Sequence, residues 1–212
     1  MKFGKIKWHI EYTITILITL TIVLLMLPTS IKSTFQANLI AKWKDCYKRL
    51  EYAHDAILKQ EKSEILTSFR RANTQDERKR LFLNIIKPYF RLSMKKVKGR
   101  YSVRYMNGTK VGQNDELFVK DYYYTDNKRM IVGIKDIPTG SNNVMFIMTF
   151  DVNGHLPPNV WGKDVFGAKI YTDKIEAIGR ELSIDKQNED CDLSSSGVSC
   201  SNYYIIGGGF ND

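Results

Sequence analysis

The chain has 212 residues, is 43% hydrophobic and 12% aromatic, and carries a formal net charge of +9. That apolar content supports a packed core and excludes wholesale disorder, and the length leaves room for one globular domain beyond an N-terminal segment. The excess of positive charge admits an anionic membrane surface, an acidic protein or nucleic acid as partner; nucleic-acid binding would weaken steeply with salt.

The first residues, 1–11, include Lys2, Lys5 and Lys7 and read as a cytoplasmic leader-like segment. An uncharged run follows, YTITILITLTIVLLML over residues 12–27, ending at Pro28. It is slightly shorter than the roughly 20 residues that span a bilayer as a helix. Its threonines are tolerable in lipid, because a hydroxyl can bond back to a carbonyl of the preceding turn. Ile16, Leu17, Ile18, Leu20, Ile22, Val23, Leu24 and Leu25 form the expected membrane anchor within residues 12–28. Lysines ahead of the run favour a cytoplasmic N-terminus and an exported C-terminus. The competing reading is a cleaved signal peptide and a secreted domain. No small-x-small cleavage site follows Leu27, where the chain reads PTSIKSTFQ.

Residues 29–60 continue as an amphipathic helix. Leu39, Trp43, Cys46, Leu50, Ala53 and Ile57 recur in steps of four and three and fall on one stripe. The anchor and this stripe are expected to form one long helix, kinked or interrupted at Pro28. A head over residues 61–212 follows. Thr74 and Glu77 make a capping box for a second helix whose apolar face includes Leu81, Phe82, Ile85, Ile86, Tyr89 and Phe90, with Pro88 expected to bend or split it. The basic residues Lys95, Lys96, Lys98 and Arg100 then read as a solvated helix end.

Beyond Gly99 the character changes. YSVRYM, ELFVKDYYY, RMIVGIK, VMFIMTFDV and AKIYTD are short, β-branched or aromatic segments, separated by NGTKVGQN, TDNK and PTGSNN. TDNK reads as a hairpin turn. Helices first and a meander afterwards argue α+β.

Cys191 and Cys200 bracket CDLSSSGVSC, a spacing suited to a local disulfide in an oxidising compartment; Cys46 is left as a buried thiol. Asp151, Asn153, Asn159 and Asp164 gather side-chain oxygens in one loop, residues 151–167, where they could converge on Ca²⁺ or, alternatively, hydrogen-bond their own backbone. Trp161 and Phe166 are expected to pack that loop onto the long helix. No nucleophile elbow, phosphate-binding glycine loop or metalloprotease helix occurs, and His155 beside Asp151 makes no catalytic constellation, so neither an enzyme nor a small-molecule substrate is expected.

Three stretches resemble one family. ILITLTIVLLMLPTSIKSTFQANLIAKWKDCYKRLEYA is similar to the opening of bacterial type IV pilin-like and type II secretion pseudopilin-like proteins. DVNGHLPPNVWGKDVFGAKIYTDKIEAIG resembles their D-x-N-G…P-N…G-x-D-x-F segment, which a strand, a turn and a short strand follow. The cysteine loop followed by NYYII, a strand-like run, is the third match. Where the family carries Gly, an aromatic residue and Glu at its processing site, this chain has Ile10, Glu11 and Thr15, so peptidase processing and Glu-guided assembly are not implied. The resemblance implies a pilin-like fold, a long N-terminal helix packed on an antiparallel sheet. It also implies a structural subunit of a pilus or secretion filament, held in the inner membrane with its head in the periplasm or outside the cell. Its partners would be lipid and other pilin-like subunits. A membrane-anchored binding protein that captures DNA is the alternative role.

Overall fold

The computed structural model describes residues 3–60, 72, 74–97, 101–126, 129–137, 144–171 and 173–210. The chain divides into two compact units, Met1–Asn38 and Leu39–Asp212.

Helix α1 (Phe3–Gln60) supplies the described residues of the first unit and the start of the second. Its helical backbone continues through Pro28, so the expected interruption there is absent. A proline removes one backbone donor and crowds the preceding turn, yet neighbouring turns can absorb this without ending the helix. Helix α2 (Gln75–Phe90) starts as its capping box requires: Thr74 is extended and its hydroxyl accepts the Glu77 N–H at 3.2 Å. Pro88 lies in the last turn of α2 and does not split it. Arg91 closes α2 in the left-handed region, at φ 48°, and donates its N–H to the Lys87 carbonyl.

Six strands follow: β1 (Leu92–Lys96), β2 (Asp121–Thr125), β3 (Ile131–Asp136), β4 (Val144–Asp151), β5 (Val165–Tyr171) and β6 (Ile175–Ala177). They pair antiparallel in chain order, β1 to β6, so the expected α+β meander is present. Register runs from Tyr123 opposite Val132 to Val132 opposite Phe150, Phe150 opposite Phe166 and Ala168 opposite Ala177. The turn between β2 and β3 closes with the Thr125 N–H on the Met130 carbonyl, as TDNK foretold, although Asn127 and Lys128 lie outside the described residues. The PTGSNN turn, residues 138–143, lies outside them as well.

Alternation along the strands sorts side chains onto two faces. Val132, Ile134, Phe146, Met148, Phe150, Phe166, Ala168 and Ile170 join Leu39, Trp43, Cys46, Tyr47 and Leu50 of α1 and Phe82, Leu83, Ile86 and Phe90 of α2 in the main core. The stripe read from the sequence is therefore the buried face of α1; the Ile57 side chain falls outside the described ones. On the opposite face, Ile147 and Val165 pack with Val103, Trp161 and Ile178 in a smaller core. Gly133 is required there. A Cβ at that position would come within 2.2 Å of the Thr149 hydroxyl and 2.6 Å of the Tyr122 ring.

Several expectations are corrected. LSMKK forms β1 instead of a solvated helix end, because its pairing with β2 satisfies the backbone whatever the side chains; Lys98 and Arg100 lie outside the described residues. YSVRYM forms no strand. Arg104 makes isolated bridges to Lys110 and Val160, and Tyr101, Val103 and Tyr105 pack onto the smaller core. In ELFVKDYYY only the end is strand, from Asp121 onward. NYYII is largely helical, within α4 (Cys200–Ile205), and is preceded by α3 (Ile184–Asp190), which the sequence reading lacked.

Candidate functional site

Three places carry the residues singled out by the sequence. The first is the apolar segment of α1. Ile16, Leu17, Ile18, Leu20, Ile22 and Val23 are 47–65% exposed. Successive residues turn about 100° around a helix, so Ile16, Leu17 and Ile18 alone cover most of its circumference and the exposed apolar surface has no polar side. Two of the threonines within it, Thr19 and Thr21, are satisfied by the preceding turn. Thr19 Oγ1 donates to the Thr15 carbonyl and Thr21 Oγ1 to the Leu17 carbonyl, both at 2.8 Å. Among the described residues no helix is long and apolar enough to cross a membrane; the side chains of Leu24 and Leu25 lie outside them.

The second place is the loop from β4 to β5. Asp151 ends β4 with 1% of its surface exposed, and Asp164 precedes β5 fully buried. The loop gathers all four residues of the D-x-N-G…P-N…G-x-D pattern. Asp151 Oδ1 accepts the Asn153 N–H at 3.0 Å, and the Tyr101 hydroxyl donates to the same carboxylate. Asn153 Nδ2 donates to the Leu156 and Pro157 carbonyls, each at 3.1 Å. The two oxygens of Asp164 accept the N–H groups of Asn159 at 2.9 Å and Val160 at 2.7 Å. Turned with its nitrogen inward, the Asn159 amide donates to Asp151 Oδ2 at 2.8 Å and to the Gly154 carbonyl at 3.2 Å. Asn159 has φ 54°, a left-handed conformation that asparagine tolerates better than most residues. The Pro157–Pro158 bond is cis.

Burial, and then the neighbouring Asp164 charge, push the Asp151 carboxyl up to about 8. Burial also raises Asp164, against the N–H groups of Val160 and Asn159 that favour its ionised form. Two carboxylates held this close inside a protein repel and resist being charged together. Among the described residues, no group of three or more His, Cys, Asp or Glu side chains is arranged to hold a metal ion. The Asp151 and Asp164 carboxylates are engaged by N–H groups of the loop and by the Tyr101 hydroxyl, and the former is the backbone-shaping role that short polar side chains serve in irregular loops.

The two aromatic residues beside the loop go to opposite sides of the sheet. Phe166 stacks on Trp43 of α1, centroids 5.3 Å apart and planes 16° apart, as expected. Trp161 instead packs against Val165 and Ile178 on the far face, because a three-residue turn over 162–164 separates it from β5, in which Phe166 lies. His155 does not engage Asp151; its ring nitrogen meets the Tyr124 hydroxyl. Of the three consecutive tyrosines, Tyr123 faces the main core and Tyr122 the smaller one.

The third place is the C-terminal cap. Cys191 and Cys200 form a disulfide with Cα atoms 5.3 Å apart, as the spacing foretold, and Cys46 stays a free buried thiol. Burial, then the Asp45 charge, push that thiol up to about 12, which leaves it inert. Just ahead of the disulfide ring, Asp190 accepts N–H and hydroxyl donors from Ser196 and Ser199 within it at 2.6–3.1 Å. Burial works against the Asp190 charge, but these donors outweigh it and hold the carboxyl below its usual range. The cap then reaches α1: Trp43 Nε1 donates to the Ser201 carbonyl at 2.8 Å across 158 residues of sequence. Gly162, at φ +77°, lets the loop pass beneath the cap, where a Cβ would lie 2.9 Å from Cys200 Sγ. The Asp190 network and α3 were not foreseen; the S-S-S-G run between the cysteines was the available signal, since hydroxyls so placed can bond a neighbouring carboxylate.

Comparison with protein-family models, with curated proteins and with solved structures finds no match to this chain.

Proposed function

We propose that this chain is a structural subunit, held in a membrane by the first part of α1 and presenting its head outside the cytoplasm, in the manner of pilin-like and pseudopilin-like proteins. The observation that carries this reading is the contrast along one helix. Between Ile16 and Val23 the apolar side chains stand exposed on every side, whereas from Leu39 to Leu50 the apolar stripe is buried in the head. A stripe already covered needs no partner; apolar side chains exposed all round do, and lipid or the same segment of other subunits would cover them. The run is uncharged and the Thr19 and Thr21 hydroxyls are bonded to the preceding turn, which suits a low-dielectric surrounding.

Membrane fractionation of the full chain tests this. The protein is expected in the carbonate-resistant membrane fraction. Ile16→Lys with Leu20→Lys, each costing about 2.5–3.5 kcal/mol of insertion at a helix centre, is expected to release it while the melting temperature of the head stays unchanged. Recovery of the unaltered chain in the soluble fraction would overturn the reading.

Calcium at the Asp151–Asp164 loop is a separate reading, favoured by two buried carboxylates in one loop; it requires the Asn153 and Asn159 amides to turn from the donating orientation they hold. A cation bound only by the folded state would stabilise it by about 2.7 kcal/mol at a hundredfold excess over Kd. Melting curves with and without calcium decide: a rise supports the site, and superimposed curves remove it.

A further inference from the structure

A cleft of about 780 Å³ opens on the head between the 42–49 stretch of α1, the end of α2, and the turn from β2 to β3. Its lining is two-natured. Cys46, Phe90, Met130 and Val152 supply apolar surface, while Lys42, Arg49, Arg91 and Arg129 bring cationic groups. Two carboxylates, Asp45 and Asp126, also line it, and Asp45 is engaged by Arg49 at 2.7 Å, so positive charge prevails. Arg91 occupies a left-handed C-terminal position where glycine is the usual residue. Such an outlier is tolerated where the side chain it carries is useful.

Elsewhere on the head stands a feature of opposite character. Around α3, Leu182, Ile184 and Leu193 are 39%, 63% and 47% exposed. Between them stand the exposed Asp185, Glu189 and Asp192 against a single lysine, Lys186. The disulfide and the Asp190 hydrogen bonds hold this acidic, aliphatic ridge in a fixed shape. A ridge ordered in advance loses little conformational freedom on docking.

We propose that the cleft of one copy receives the ridge of a second copy. The match is double, cations to carboxylates and apolar floor to exposed aliphatic side chains. The ridge follows β6, at one end of the strand order, whereas the cleft lies beside the β2–β3 turn. The two surfaces share no residue, so one copy has both to offer, and a contact between unlike surfaces propagates from copy to copy as a ring or an open filament. The inference rests on the subunit reading above and gives that reading a head-to-head contact. Anchoring in one membrane raises the local concentration of heads, so a contact weak in dilute solution suffices.

The test uses the full chain in membranes. A zero-length carbodiimide links an amine to a carboxylate in contact, and Lys42 supplies the amine in the cleft. Mass spectrometry of mixed isotope-labelled and unlabelled protein is expected to find intermolecular links from Lys42 to Asp185 or Glu189. Arg49→Glu with Arg129→Glu is expected to reduce those links about tenfold with the melting temperature retained, by reversing close charge pairs; Asp185→Arg with Glu189→Arg removes the coupled carboxylates and is expected to abolish the links and to lower self-association with the melting temperature retained. Mixing the two variants is expected to restore links from Lys42 of the ridge variant to Glu189 of the cleft variant, since each supplies the surface the other lacks. Oligomers that form without any Lys42 link overturn the cleft–ridge contact and leave the subunit reading standing. A chain that is monomeric in the membrane overturns both. Cleft variants that lose affinity for anionic-lipid vesicles while self-association is unchanged assign the cleft to lipid headgroups and overturn the contact as well.

Discussion

Two helices lie on the same face of the sheet and are held there by different means. The 39–53 stretch of α1 is fixed by aromatic burial: Trp43 stacks on Phe166, approaches Phe150 at 5.8 Å, and makes one hydrogen bond to Ser201. Its charged residues Lys42, Lys48 and Arg49 stay at the surface. Helix α2 also buries aromatic surface, with Phe82 stacked on Phe146 at 4.3 Å, but it adds ion pairs to the sheet. Arg78 grips Asp136 with contacts of 2.8 and 2.9 Å, and Lys79 meets Asp121, which Lys96 also reaches at 2.8 Å. Apolar burial is indifferent to pH and is not weakened by screening, whereas ion pairs respond to pH and are weakened by salt. The two helices should therefore be separable by the kind of perturbation applied, even though they share one core.

The largest separation should come from Trp43→Ala. Removing a fully buried Trp costs roughly 3–5 kcal/mol in transfer and cavity terms, and here it also deprives the Ser201 carbonyl of its donor. The expected drop in melting temperature of the head is on the order of 10 °C. Hydrogen exchange should rise most in the 39–53 amides. A uniform rise across α1 and α2 would show that the two helices open as one unit, and the comparison would collapse.

Next in size is loss of the disulfide. Closing so short a ring is worth about 2–3 kcal/mol in the chain-entropy account. Cys191→Ser with Cys200→Ser should lower stability by that amount and loosen Ser201, hence the Trp43 bond, before it affects α2. Denaturant midpoints of the variant and of the reduced parent should agree.

How much of this was readable beforehand depends on whether one residue decides or many do. The α1 stripe was legible because six positions repeat the helical period, and the α2 start because Thr74 and Glu77 state a cap in four residues. The loop pattern from Asp151 to Asp164 was legible as a gathering of side chains, since their spacing is local. What failed depended on distant partners. LSMKK looks polar, yet it is a strand because β2 offers it an edge. YSVRYM looks like a strand, yet its apolar residues cover the far face without a ladder. NYYII looks like a strand, yet the chain emerging from the disulfide turns helical beneath α1, with Tyr204 fully buried. Strand propensity of this kind reports a fit to a half-buried surface and not a backbone preference, so context reverses it. The cation-lined cleft drew on α1, α2 and a hairpin turn, three places separated in sequence by tens of residues, and no local pattern marks it.

The smallest expected effect is the one most specific to α2. Burial opposes the Asp121 charge, but Lys79 and Lys96 outweigh it and hold the carboxyl below its ordinary range. Its folded pKa is thus lower than its unfolded value of about 3.9. The folded state binds the proton less readily, so the contribution is fully present above that unfolded value and is lost as pH falls through the folded one. A partly exposed pair of this kind contributes about 1 kcal/mol or less. Below pH about 4, hydrogen exchange in α2 should therefore accelerate ahead of exchange in the 39–53 stretch. Asp121→Asn should bring the faster α2 exchange to neutral pH and remove the Asp121 share of its acid dependence, leaving that of the Arg78–Asp136 pair. High salt should mimic the variant in part, because the Lys96 side of the network is 62% exposed and open to screening. Equal acceleration of both helices in acid would mean that α2 is held by its aromatic face alone. The ion pairs would then be surface ornament, and the two helices would differ in composition but not in what anchors them.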